Sequence, residues 1–326
     1  MKNYIKKLRD KHFNLSEESK FRFDILNYKT DGMIFISSVL LVPLFLALFI
    51  FFISFNDKNS LDGWPTTVFS VFYLLSVATG LIFHILRNGR QSFKTGYLWI
   101  YMFILGPQVV ALPIIFIIPL LAIFSQEQGI VNWYSSILIT IFTELIILIL
   151  AAVYNKKFFK RLKETFKTKW KELIVVTLIG TILLFLISTF LFSNLIETKL
   201  FGLPESQNEI NLKKMLNGEN GNGVKISAII LLFILTVVLA PICEELCMRD
   251  SFNLNASNRW LGFVGSAMFF GFIHYGPSFD FEHFLSYTSA GFILSGIFLF
   301  TKGNATYTWT LHLTNNLIAF ILVLSV

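Results

Sequence analysis

Cysteine is scarce in this chain of 326 residues: it has two, Cys243 and Cys247, four apart in one apolar run. That excludes the disulfide framework of a small secreted domain, and with it any need for an oxidising compartment. Charge is scarce as well. Only 14% of residues are Asp, Glu, Lys or Arg, while 55% are hydrophobic; soluble domains keep about a quarter of their residues charged to cover their surface. The chain therefore reads as an integral membrane protein. Its Lys and Arg outnumber its Asp and Glu by 27 to 20, an excess that in a membrane chain reports loops facing anionic headgroups rather than a nucleic-acid partner. The start of the chain also lacks a signal-peptide shape. Residues 1–32 carry eight Lys or Arg and five Asp or Glu before the first apolar run, so this segment is expected to stay in the cytoplasm.

What is abundant is long apolar sequence. Crossing a hydrocarbon core of ~30 Å takes roughly 20 apolar residues, and runs of that kind lie near 33–55, 66–86, 97–124, 133–153, 173–195, 226–250, 260–276, 284–301 and 304–325. The expected fold is all-α: a polytopic transmembrane helical bundle of about nine spans, eight if the third run, broken by Pro107, Pro113 and Pro119, re-enters. Basic residues alternate along the loops as short cytoplasmic segments require. The loop Lys156–Lys171 holds eight Lys or Arg, Ser125–Val131 holds none, and Arg259 and Lys302 mark later inside loops. The expectation is a multi-pass protein of the cell membrane with its N-terminus in the cytoplasm. It divides into a cytoplasmic segment 1–32, an N-terminal membrane region 33–195, an external loop 196–224 rich in Asn and Gly, and a membrane core 225–326. Within 156–171, Phe158, Phe159, Leu162, Phe166 and Trp170 interleave with the cations. That spacing suits an amphipathic helix on the inner leaflet, anchored to headgroups.

Ionisable groups inside a span cost about 2.5 to 3.5 kcal/mol each at the centre, so each is a functional candidate. Glu144 falls near the middle of the fourth run and His84 near the end of the second; the rest cluster in the last hundred residues. In Pro241-Ile-Cys-Glu-Glu-Leu-Cys-Met-Arg249, Glu245 and Arg249 are four apart and share a helical face, whereas Glu244 points about 100° away. One carboxylate is thereby neutralised, and its neighbour is left free to act as a base. Phe270 and His274, and likewise His312 and Asn316, are pairs four apart on later helices. Two histidines on neighbouring helices of a bundle that also bears an unpaired Glu make a candidate catalytic or metal site. At ~1.5 Å of rise per residue, Glu244 lies ~15 Å and His312 ~12 Å from the cytoplasmic ends of their helices. His274 comes out at ~24 Å, so its helix has to tilt or start lower for the three to meet.

Three known intramembrane-protease signatures are missing. No His is followed by Glu, which removes the His-Glu-x-x-His zinc motif, and there is no Gly-x-Gly-Asp or Gly-x-Ser-Gly. What the three motifs do resemble, in this order on successive apolar helices, is the CAAX protease and bacteriocin-processing (CPBP, or Abi) family of intramembrane proteases. That family includes the prenyl-protein endopeptidase Rce1 and bacteriocin self-immunity proteins. The resemblance covers about residues 226–326; the first 195 residues carry none of it. It departs where the family often has Phe-Arg-Gly, since this chain has Met248-Arg249-Asp250, and the extra acid is placed to compete for Arg249.

The resemblance implies hydrolysis of a peptide bond in a membrane-anchored peptide or protein, within or beside the lipid bilayer. Glu244 would activate water, His274 would bind or polarise it, and His312 and Asn316 would stabilise the oxyanion, with Glu245, Arg249 and Phe270 in support. Glu244, His274 and His312 could instead form a His2Glu zinc site. One residue does not readily serve as both ligand and base, so metal-independent chemistry without a cofactor is favoured. Two rival classes stand beside proteolysis: a non-proteolytic scaffold or bacteriocin-immunity protein of the same fold, and a secondary transporter, supported by Glu144 and the prolines of the third run.

Overall fold

The computed structural model describes residues 2–16, 27–53, 64–94, 96–114, 128–210, 213 and 222–325. Among them seven helices are long and apolar enough to cross a membrane. These are α2 (Tyr28–Ile53), α3 (Trp64–Asn88), α5 (Val131–Tyr154), α7 (Trp170–Leu200), α8 (Gly223–Asn253), α10 (Phe281–Phe300) and α11 (Ala305–Leu324). Preceding or between them run α1 (Lys2–His12), the shorter apolar α4 (Trp99–Ile114), α6 (Lys156–Thr168) and α9 (Arg259–Tyr275). The chain is a polytopic helical membrane bundle, as its composition requires. Each of the nine expected runs meets one of these helices. α9 has 17 residues, short of the seven long ones, and the stretch of the third run that includes Pro119 lies outside the described residues. Pro107 and Pro113 sit inside α4.

Polar residues set the ends. The Asn258 side chain accepts from the backbone N–H of Trp260 and Leu261 at 2.9 and 3.0 Å, and Asn304 accepts from Thr306 N–H at 3.1 Å; both satisfy donors that a helix start leaves open. Between α10 and α11 the turn needs left-handed backbone at Lys302 and Gly303, and Gly303 N–H closes onto Phe298 O at 2.8 Å. Lys302 is held in this conformation by Asp10 of α1 and by Asn14 just after that helix, both of which take its ammonium. From the same helix Arg9 donates to the carbonyls of Phe300 and Leu299 at 2.8 Å, a cation at the C-terminal end of α10. The basic N-terminal segment, α6 and the Lys302 turn therefore share one side of the bundle. His12 meets Glu172 at 3.3 Å, and Ser16 meets Glu164 of α6 at 2.6 Å.

The core is aromatic where α2 meets the C-terminal helices. Phe35 stacks on Phe252 with centroids 4.0 Å apart and meets Phe269, Tyr97 and Tyr101 edge-on. α9 and α10 cross closely because glycine stands at the contact. A Cβ on Gly291 would lie 2.4 Å from the carbonyl oxygen of Ala267, and one on Gly271 would lie 3.0 Å from the Thr288 backbone. The loop expected from 196 begins later. α7 continues to Leu200, where Glu197 is buried and paired, meeting His283 at 3.3 Å and Ser286 N–H at 2.9 Å. Residues 206–210 pack back onto the bundle, and most of 211–221 lies outside the described residues.

Gly291→Val should lower stability by about 1–3 kcal/mol through overpacking, read as a lower melting temperature in detergent. Gly296→Ala, whose Cβ would meet nothing nearer than Phe263 at 3.8 Å, should leave it unchanged. Equal melting temperatures for both variants would contradict the close crossing.

Candidate active site

Pro241 opens the last third of α8, after which Glu244 and Glu245 enter the bundle core, 6% and 0% exposed. From Glu245 to Asn253 the helix widens into π-type turns, seen in Leu254 N–H bonding to Arg249 O at 2.7 Å. Such wide turns are rare in helices and occur often at functional sites. The expected pair forms: Arg249 Nε lies 3.5 Å from Glu245 Oε2, both side chains wholly buried. A buried guanidinium needs more than one partner, because several kcal/mol of hydration is lost. Arg249 Nη1 donates to Ser266 Oγ at 3.2 Å, Ser266 donates to Met248 O at 3.0 Å, and the Phe270 ring lies 5.2 Å from the guanidinium carbon. This gives Phe270 a physical role, as a cation–π partner from α9.

His312 of α11 stands between the two carboxylates. Its Nδ1 lies 3.5 Å from Glu245 Oε1, and its Nε2 lies 3.8 Å from Glu244 Oε2. Glu244 Oε2 is buried without a hydrogen-bond partner. Phe270 meets His312 and His274 edge-on, with centroids 5.5 and 5.0 Å away. The depth mismatch expected for His274 is thus bridged one helical turn nearer the start of α9, by Phe270. Asn316 donates its amide to Thr236 O of α8 at 2.8 Å, one turn beyond His312 on the same helix.

Six of the seven residues singled out from the sequence are linked in one chain of contacts: Glu244, Glu245, Arg249, Phe270, His274 and His312. Asn316 joins by tying α11 to α8. His274 makes no hydrogen bond or ion pair with Glu244. Among the described residues no group of three His, Cys, Asp or Glu side chains is placed to hold one metal ion.

Two neighbours were not assigned to the site by the sequence. Glu144 of α5 is buried, has one oxygen without a hydrogen-bond partner and lies within electrostatic reach of Glu244. Its carbonyl accepts from the Cys243 thiol at 3.5 Å, which sets α5 against α8 beside the carboxylates. His84, by contrast, lies apart, 3.9 Å from Asp31, which also takes Arg87 at 3.0 Å and Asn88 at 2.9 Å. Asp250 is the second neighbour, and it does not compete for Arg249. It is taken by Arg161 of α6, in a buried ion pair, and by Asn155 at 2.8 Å. Burial pushes the Arg161 guanidinium below its ordinary value, and Asp250 opposes that. α6 is therefore more than a surface anchor: Phe158, Arg161, Leu162 and Thr165 are buried against the bundle, and Thr165 accepts from Asn304 at the start of α11 at 2.8 Å.

These features define a class: a multi-pass membrane protein with a buried carboxylate, histidine and arginine constellation carried on three helices. Residues 226–318 match the family model described as type II CAAX prenyl endopeptidase, Rce1-like. The C-terminal membrane core is thus similar to that family over these residues, and the match suggests a protease. A relative from Mycoplasma capricolum subsp. capricolum, named only as an uncharacterized protein, is 28% identical over 331 residues, covering 100% of this chain and 97% of the relative. The similarity therefore extends over the N-terminal spans too. No solved structure matches.

Arg161→Met, which leaves Asp250 buried beside Asn155 alone, should destabilise the protein by about 3–5 kcal/mol. Arg161→Met combined with Asp250→Leu should recover most of that loss in the same thermal melts. A single variant as stable as wild type would show that α6 does not brace α8.

Proposed function

We propose that the protein is an intramembrane endopeptidase that hydrolyses a peptide bond in a membrane-anchored peptide or protein, without a metal. The observation that carries this reading is the split between adjacent carboxylates. Glu245 forms the ion pair with Arg249 at 3.5 Å and faces His312 Nδ1, while among the described residues Glu244 has only His312 Nε2, 3.8 Å away, within ion-pair distance. A carboxylate so placed is suited to act as a general base.

In the proposed reaction a water held between Glu244 and His274 gives a proton to Glu244 as its oxygen adds to the scissile carbonyl carbon. The carbonyl oxygen becomes an oxyanion, stabilised by donors from His312 Nε2 and the Asn316 amide. Glu245 faces Nδ1 of His312 and keeps the Nε2 edge turned toward Glu244; Nε2 donates to the oxyanion in the doubly protonated ring, with Nδ1–H directed at Glu245. Collapse of the tetrahedral species breaks the C–N bond, and Glu244 returns its proton to the leaving amine. Phe270 and Arg249 position rather than react. Membrane placement of the site favours substrates that arrive through the bilayer, so a lipid or transmembrane anchor on the substrate is part of the proposal. The protein is read as resident in the cell membrane with its N-terminus and α6 on the cytoplasmic side, following the excess of basic residues there.

Cells carrying wild type and Glu244→Gln at matched expression should differ in the peptide termini found in membrane and secreted fractions by mass spectrometry. A terminus present only with wild type is expected, since loss of a general base lowers rates by about 10²- to 10⁴-fold. If no terminus differs and the variant keeps the cellular phenotype, a scaffold or immunity role replaces proteolysis. The anchor is tested separately. Cleavage of the identified sequence should be faster on a lipidated than on a soluble peptide, and equal rates would remove the anchor from the proposal.

A further inference from the structure

His274 occupies the last turn of α9, just before the chain leaves the helix at Gly276. Its ring nitrogens make no hydrogen bond among the described residues, so packing alone orients the imidazole. One contact is Phe270, already described. The other is Tyr287 of α10, whose ring lies parallel to the imidazole, 10° between planes and 5.1 Å between centroids. That is the offset arrangement that aromatic pairs prefer.

Tyr287 is itself held from outside the Rce1-like segment. Its hydroxyl donates to Ser206 Oγ at 3.1 Å and accepts from Asn208 Nδ2 at 3.1 Å. Asn208 Nδ2 also lies 3.4 Å from the backbone oxygen of His274, so one amide ties the histidine's backbone to the hydroxyl of the ring stacked on its side chain. Gln207 N–H donates to Asp280 Oδ2 at 3.0 Å, and Asp280 in turn meets His283, the partner of Glu197. The strap 203–210 is thereby fixed where α7 ends and where α10 begins.

We propose that Tyr287 is a positioning residue for His274, and that the strap bearing Ser206 and Asn208 holds Tyr287 in place. This rests on the role given to His274 in the proposed reaction. Tyr287 does not reach the reacting atoms; its ring restricts rotation of the imidazole so that one edge faces the water shared with Glu244. An imidazole free to rotate would meet that water less often, which costs turnover more than substrate affinity.

The test uses the full chain in liposomes, labelled with ring-¹³C histidine, and as substrate the anchored peptide whose terminus separates wild-type from Glu244→Gln cells. Tyr287→Leu removes the ring; Tyr287→Phe and Asn208→Ala keep it and loosen its hold. In Tyr287→Leu the His274 Cε1–H signal, assigned by its loss in His274→Gln, should move as the ring current is lost. Its kcat should fall roughly tenfold with KM unchanged, while Tyr287→Phe and Asn208→Ala, which keep the ring but loosen its hold on the strap, should each give a smaller shift of the signal and a smaller loss of kcat; wild-type signal and rate in both would remove the strap from the proposal. An unmoved His274 signal, or a loss confined to KM or to the folded fraction, overturns the positioning role. Should His274→Gln itself cleave at the wild-type rate, the proposed reaction fails first, and the role of Tyr287 fails with it.

Discussion

The arrangement depends on burying one arginine. Arg249 is wholly enclosed, and a guanidinium in that position is tolerable only if its charge is met. Glu245 supplies the charge from one turn earlier on the same helix, Ser266 a hydroxyl, and Phe270 the face of a ring. Two of these three partners come from α9, so the contacts of Arg249 fix α9 against α8. His312 then closes on the pair from α11, its two ring nitrogens facing the two carboxylates. What remains is Glu244, beside the ion pair and outside it.

The adjacent residue carries a second buried pair, directed elsewhere. Asp250 reaches Arg161 of α6, and two neighbours on α8 tie the same region to the chain around α4: Ser251 donates to Tyr97 O at 2.7 Å and the Cys247 thiol to Trp99 O at 3.4 Å. The end of α8 is thus clamped by the Rce1-like core through Arg249 and by the N-terminal half through Asp250. This gives the first 195 residues a structural task, bracing the helix that carries the carboxylates. Glu144 approaches from the same half, within electrostatic reach of Glu244, and its carbonyl accepts from the Cys243 thiol.

Much of this was legible in the sequence because helical spacing is local. A separation of four puts Glu245 under Arg249, Phe270 under His274 and His312 under Asn316, and the structure uses each shared face. Apolar length identified the helices, and the alternation of basic loops is matched by α1, α6 and the Lys302 turn meeting on one side. Partners distant in the chain were not legible. Arg161 sits in a basic run that reads as a headgroup anchor, and nothing local distinguishes the one cation that turns inward toward Asp250, 89 residues away. The end of α7 was not legible either, since Glu197 is buried there by His283, 86 residues off. The strap over Tyr287 was hidden for the same reason: Ser206 and Asn208 lie in polar sequence, and only the fold brings them to the ring.

The central claim is that two adjacent glutamates divide the work, Glu244 for chemistry and Glu245 for structure. The most direct measurement compares thermal stability and cleavage of an anchored peptide for purified Glu244→Gln and Glu245→Gln in the same liposomes. The account predicts that Glu244→Gln melts within a few degrees of wild type and cleaves nothing, while Glu245→Gln, which leaves Arg249 buried without its counter-charge, melts far lower. Glu244→Gln unfolding as readily as Glu245→Gln, or cleaving at the wild-type rate, would contradict it.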